Sequence, residues 1–171
     1  MTLWNLQQNV FTKSVRPTQP APVWEHLMPG SLSAASKLCR YVWSSTKKNA
    51  FAIAKWLQEQ PRVQYVLYPS LENHPGYVIN KAQTTGMISF AVDSAETARQ
   101  ILEGVKLIKF AESLGGTESL ITYPIRQTHT DLTAEECAEK GITDCLLRFS
   151  TGIEATQDLI DDLAQAFAAV E

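Results

Sequence analysis

Apolar residues return at helical spacing in the stretch that ends near residue 60, where Ala50, Ile53, Ala54 and Leu57 fall on one face. The pattern predicts a long helix from about Ser33 to Gln60, stopped by Pro61, with a weaker signature between Lys37 and Lys48. Beyond it the period changes to two. Arg62 to Pro69 alternates like a strand, and Gly86 to Asp93 is apolar enough for a central one. Ser94 then reads as the cap of a helix reaching about Glu103, with Glu96 in its first turn. Leu107 to Phe110 is a third strand, and the Cys145–Ser150 region a fourth. Between them, Thr133-Ala-Glu-Glu136 is a capping box for a short helix that Gly141 stops. Thr156 is expected to cap a last helix whose buried face is Leu159, Leu163, Ala166, Phe167 and Val170.

This order predicts an α+β fold: a small, mostly antiparallel sheet with helices packed on one face. Residues 3–9 read as the end of a helix. Pro17, Pro20, Pro22, Pro29 and Gly30 break regular structure over 15–30. The division expected is an arm over residues 1–30 and one domain over 31–171.

Composition narrows the function. The chain has 171 residues, 44% of them hydrophobic, and a net charge of −3, enough for one domain with a core. Without a basic run, no nucleic-acid partner is expected. No apolar stretch approaches the roughly 18 residues of a membrane span, so no membrane partner is expected either. The first residues carry no charged-then-apolar signal segment. The three cysteines, Cys39, Cys137 and Cys145, are odd in number and widely spaced. They suit neither a disulfide framework nor a metal knuckle, and free thiols point to the cytoplasm.

Two segments carry candidate chemistry. Arg148 interrupts the apolar run Leu146, Leu147, Phe149 and Ile153. A guanidinium in such surroundings needs a partner, and its planar fork suits a carboxylate or phosphate. A ligand carboxylate and a distant internal Asp or Glu both remain open. Phe110 to Leu120 follows a strand and carries Gly115-Gly116 with Ser113 just before them; it is either an anion-meeting loop or a plain glycine turn. Thr128-His129, His74-Pro75 and His26 lack neighbours at metal-ligand spacing. No Ser–His–Asp order or phosphate loop is present.

Several of these segments, taken in order, resemble one family. They are Asn49-Ala-Phe-Ala-Ile-Ala-Lys-Trp-Leu57, Tyr68-Pro69, His74-Pro75, Gly86-Met-Ile-Ser-Phe90, Ala111-Glu-Ser-Leu-Gly-Gly-Thr-Glu-Ser-Leu120, Tyr123-Pro124, Gln127-Thr-His129, Gly141-Ile-Thr-Asp144 and Leu147-Arg-Phe-Ser-Thr-Gly-Ile-Glu154. Over about residues 49–171 the chain is similar to the C-terminal domain of the Cys/Met-metabolism enzymes. These are pyridoxal-phosphate enzymes of fold type I, among them cystathionine γ-synthase, cystathionine γ- and β-lyases and O-acetylhomoserine sulfhydrylase.

The resemblance implies that Arg148 binds the substrate α-carboxylate and that Ser113 lies beside it. Glu112 occupies a position that helps tell reaction types apart, and a glutamate there is similar to the γ-synthase and γ-lyase pattern. Thr128-His129 would line the entrance. It implies pyridoxal phosphate as cofactor and an amino-acid substrate: a homoserine ester, cysteine or cystathionine. The expected reaction is γ-replacement in methionine biosynthesis, with γ- or β-elimination as the alternative. The family's Schiff-base lysine lies in a large domain before this region, and Thr12-Lys13 is no substitute. Catalysis by this chain alone is therefore not expected, and a companion large domain or a homo-oligomer is. Residues 10–48 fit the family pattern poorly, as a segment read out of frame would. A non-catalytic amino-acid binder or an inert remnant are the further alternatives.

Overall fold

A computed structural model describes residues 23–74, 76–77, 85–127 and 132–170, with side chains from residue 34 onward except that of residue 134. The chain divides into two compact units, Met1–Leu38 and Cys39–Glu171. Helix α1 spans Val23–Gln58, so it begins well before the expected Ser33 and takes in Pro29 and Gly30. Pro29 removes one backbone hydrogen bond from a helix interior and disfavours it, yet the helix continues through it for 36 residues in all. The helix end expected at residues 3–9, and most of the arm expected over 1–30, lie outside the described residues.

The remaining elements are β1 (Val63–Leu67), β2 (Met87–Val92), α2 (Ala95–Gly104), β3 (Lys109–Phe110), β4 (Leu120–Thr122), a 3-10 turn (Pro124–Arg126), α3 (Ala134–Glu139), β5 (Leu146–Ser150) and α4 (Thr156–Ala168). The sheet order is β1-β2-β5-β4-β3. Three pairings are antiparallel and one, β3 with β4, is parallel, as the mostly antiparallel expectation required. Strand β4 was not foreseen. Its three residues are too few to show alternation, and it exists by pairing with β5 on one side and β3 on the other.

Caps explain the helix starts. The Ser94 hydroxyl accepts the Thr97 N–H at 3.0 Å, and Thr133 with Glu136 closes a reciprocal capping box. Gly141, at φ 67, follows α3 in the left-handed conformation that ends it. The cap expected at Thr156 is a correction. Ala155 holds the N-cap position with no side-chain bond, and Thr156 is already helical. Its hydroxyl is drawn away to Asn49 Oδ1 at 2.6 Å.

One core joins the helices to one face of the sheet. It contains Ala50, Ile53, Ala54 and Leu57 of α1, Ala98 and Ile101 of α2, and Leu159, Leu163 and Ala166 of α4. The strands contribute alternate residues: Val66, Ile88, Phe90, Ile121, Leu147 and Phe149. Each large apolar side chain sealed there contributes about 1.5–3 kcal/mol. Trp56 and Phe167 meet edge to face, ring centroids 5.8 Å apart, and lock α1 to α4. Buried Asp162 of α4 accepts the N–H groups of Lys106, Leu107 and Ile108, each at 2.9 Å, and so fixes the turn between α2 and β3.

Candidate functional site

Pleating puts residues two apart on the same face. Since Leu147 and Phe149 enter the core, Arg148 points to the opposite face. The register places Leu67, Ser89, Arg148 and Thr122 in one row across β1, β2, β5 and β4. Leu67 is 42% exposed at the edge of that row. Arg148 is half-buried at its centre.

The Arg148 Nε is buried and makes no hydrogen bond. Ion pairs among the described residues join Arg62 to Asp93 and Arg99 to Glu96 and Glu103. None involves Arg148, so the internal acidic partner that the sequence left open is not found among those residues. A buried N–H without an acceptor is costly and uncommon. A carboxylate docking on the half-buried guanidinium, with a shift of the side chain that opens Nε, would satisfy it with a charge-assisted bond.

Glu112 and Ser113 are exposed on the loop between β3 and β4. Two hydroxyl residues near Arg148 hold that loop. Thr122, across from Arg148 on β4, donates its hydroxyl to the Ala111 carbonyl at 2.8 Å. Ser150, two residues along β5, accepts the Gly115 N–H at 2.9 Å. The loop carrying Glu112 and Ser113 is thus tied at 111 and 115 to residues that adjoin the guanidinium. Gly115 lies at φ 73, which only glycine adopts readily, so the turn there depends on it.

Further ties join the same loop to the segment after β5. Ile153 donates its N–H to the Thr117 carbonyl at 2.9 Å. Glu154 accepts the Ser119 N–H at 2.6 Å and the Ser119 hydroxyl at 2.9 Å. Asn49 of α1 donates to the carbonyls of Gly152 and Glu154 at 3.0 and 2.9 Å. Thr151 donates its hydroxyl to the Thr46 carbonyl at 2.9 Å. Sequence reasoning assigned no role to Asn49, Ser119, Thr151 or Glu154. The one available sign was polar Thr46 and Asn49 continuing the buried stripe of Ala50 and Ile53 at helical spacing.

Thr128 and His129 lie outside the described residues. Just before them, Gln127 accepts the Tyr123 N–H at 2.8 Å, and the Tyr123 hydroxyl donates to the Asp144 carbonyl at 2.6 Å. Burial, aided by the Asp144 charge, pushes that phenol above its ordinary range. His74 is a turn residue whose Nδ1 accepts the Gly76 N–H at 3.0 Å. Among the described residues no group of His, Cys, Asp and Glu could hold a metal ion. No described helix is long and apolar enough to cross a membrane.

The side chains beside Arg148 in the sheet, Ser89 and Thr122, are hydroxyls, with no amine among them. This set fits an acidic group and does not fit an aldehyde cofactor.

Comparison with known proteins agrees with this arrangement. A sequence profile described as Cys/Met metabolism PLP-dependent enzyme matches residues 43–168. A cystathionine gamma-lyase of Dictyostelium discoideum is 46% identical over 124 residues, covering 70% of this chain and 32% of its own length. A cystathionine gamma-synthase of Haemophilus influenzae is 49% identical over 122 residues, covering 71% and 30%. Among solved structures, cystathionine gamma-lyase from Lactobacillus plantarum complexed with L-serine superposes with TM-score 0.72 at 34% identity, over 75% of this chain and 35% of that one. A Campylobacter jejuni protein described as an O-acetylhomoserine (thiol)-lyase, which carries a pyridoxyl-lysine monophosphate, gives TM-score 0.72 at 33% identity, over 75% and 32%. The chain spans about a third of the length of the curated relatives it matches.

Proposed function

Since the chain belongs to the Cys/Met metabolism family of pyridoxal-phosphate-dependent enzymes, we propose that it supplies the part of such an enzyme that seats the substrate's α-carboxylate. Residues 31–171 form the family's small domain in this reading. Arg148 receives the carboxylate, and Ser113 stands beside it. The observation that carries the reading is the buried, unpartnered Nε of Arg148 on the face of the sheet opposite the core.

Two fixed donors on a planar group orient a carboxylate as well as attract it. Holding that end of the substrate aligns the bond to be broken at Cα, and such positioning contributes several kcal/mol to a reaction. When bound, the cofactor supplies an electron sink for charge developing at that carbon. The hydroxyls beside Arg148 leave the cofactor to a companion part of the enzyme. The face opposite the core, with Tyr65 and Leu67 exposed on it, suits that companion. The free cysteines Cys39, Cys137 and Cys145 support a reducing compartment, the cytoplasm.

Glu112, similar to both the γ-synthase and the γ-lyase pattern, together with Thr122-Tyr-Pro124 and Gln127-Thr-His129, supports γ-replacement on a homoserine ester as the reaction served. Relatives named for γ-synthase and for γ-lyase match at similar identity, and elimination is the alternative.

The test compares L-methionine with L-methioninamide by calorimetry on the whole chain. We expect the acid to bind more tightly than the amide. Arg148→Ala should weaken the acid about ten- to a hundredfold, the size of a hydrogen bond to a charged group, and leave the amide unchanged. Equal binding of acid and amide, or an unaffected Arg148→Ala variant, contradicts the reading.

A further inference from the structure

We infer that Glu154 is a positioning residue for the carboxylate seat: through Ser119 it sets where the loop bearing Ser113 stands relative to Arg148. The inference rests on the reading of Arg148 proposed above.

The hydrogen-bond directions fix what Glu154 must be. Ser119 is fully buried. Its hydroxyl oxygen accepts the Gly152 N–H at 2.8 Å, so its single proton is left for Glu154 Oε2 at 2.9 Å. The Ser119 N–H goes to Glu154 Oε1 at 2.6 Å. Glu154 therefore has to accept at both oxygens, which a carboxylate does and an amide cannot.

The two segments it joins are in contact. A Cβ at Gly152 would run into the Thr117 carbonyl oxygen and the Glu118 backbone, so residue 152 has to be glycine for the loop to lie where it does. The far side is anchored as well. One amide, Asn49 Nδ2, binds the carbonyls of both Gly152 and Glu154, and Asn49 Oδ1 accepts the Thr156 hydroxyl at 2.6 Å. Glu154 thus stands on a mount built from α1 and the start of α4, and reaches over to hold the end of the 113–119 loop. The near end is held by Thr122 and Ser150, which adjoin Arg148 in the sheet. With the loop tied at 111, 115, 117 and 119, the backbone that carries Ser113 is held on both sides. Both carboxylate oxygens being taken, Glu154 acts on the substrate only through this loop.

Amide hydrogen exchange, measured without ligand, and affinity for L-methionine and L-methioninamide test the idea in Glu154→Gln, Ser119→Ala and the double variant. In Glu154→Gln, one donor faces another. Exchange at Gly115, Ser119 and Ile153 should quicken about tenfold, and L-methionine affinity should fall about tenfold while that of the amide stays put. In the double variant the opposing hydroxyl is gone, so the combined loss should be smaller than the sum of the two single losses. Unchanged exchange in Glu154→Gln overturns the inference. So does a loosened loop with unchanged L-methionine affinity, or strict additivity in the double variant. A wild-type chain indifferent to L-methionine overturns the Arg148 reading and this one with it. The ligand-free exchange result then shows which link failed.

Discussion

A guanidinium nitrogen shut away from water without an acceptor loses hydration and gains nothing in return. Arg148 is in that position, and its sequence setting already marked it, because a charged residue breaks an otherwise apolar strand. The loop glycines were visible too. The partners of Asn49 and Glu154 were not: Asn49 showed only as a polar residue on a buried stripe, and a hydrogen bond to a carbonyl 103 or 105 residues away leaves no spacing to read. Asn49→Ala should remove three bonds from a buried site and lower stability by about 1–3 kcal/mol in denaturant unfolding; an unchanged midpoint would show the mount to be dispensable. Gly152→Ala should cost at least about 1 kcal/mol, because the Thr117 carbonyl has to move to admit the methyl group.

Among the elements, local signals were the legible ones. Two of the three expected caps formed, at Ser94 and Thr133. The start of α1 and strand β4 were hidden, the first behind a proline and the second because its pairing depends on strands distant in the chain. Thr156 read as a cap because its type favours one, yet tertiary contact with Asn49 took its hydroxyl. The short helix α3 should answer to pH. The Thr133 backbone N–H first, and then its side chain, hold the Glu136 carboxyl below the usual range. A carboxyl depressed in the folded state stabilises above its unfolded value, and that contribution is lost as pH falls through the folded one. Protection of the Thr133 amide should therefore decline on acidification below the ordinary glutamate range, and Glu136→Gln should abolish the dependence. Asp162→Asn, which leaves one oxygen for three backbone N–H groups, should destabilise the chain by about 1–3 kcal/mol in the same unfolding assay.

For the molecule as a whole, element order was enough to give an α+β sheet with helices on one face, because alternating strands and amphipathic helices leave few other ways to bury both. The parallel β3–β4 pair was beyond it. The face opposite the core carries exposed Tyr65 and Leu67 in and beside the Arg148 row, and exposed apolar surface of that kind promotes association. Sedimentation should show assembly rising with concentration and reduced by Leu67→Lys; a monomer throughout would count against this face as an association surface. The central claim is that Arg148 waits for an acidic group from outside, and the side-chain Nε–H resonance of Arg148 reports on it directly. On titration with L-methionine that resonance should move to the position of a charge-assisted hydrogen bond, and with L-methioninamide it should stay. A resonance unmoved by the acid, or already at the bonded position in the free chain, would contradict the account.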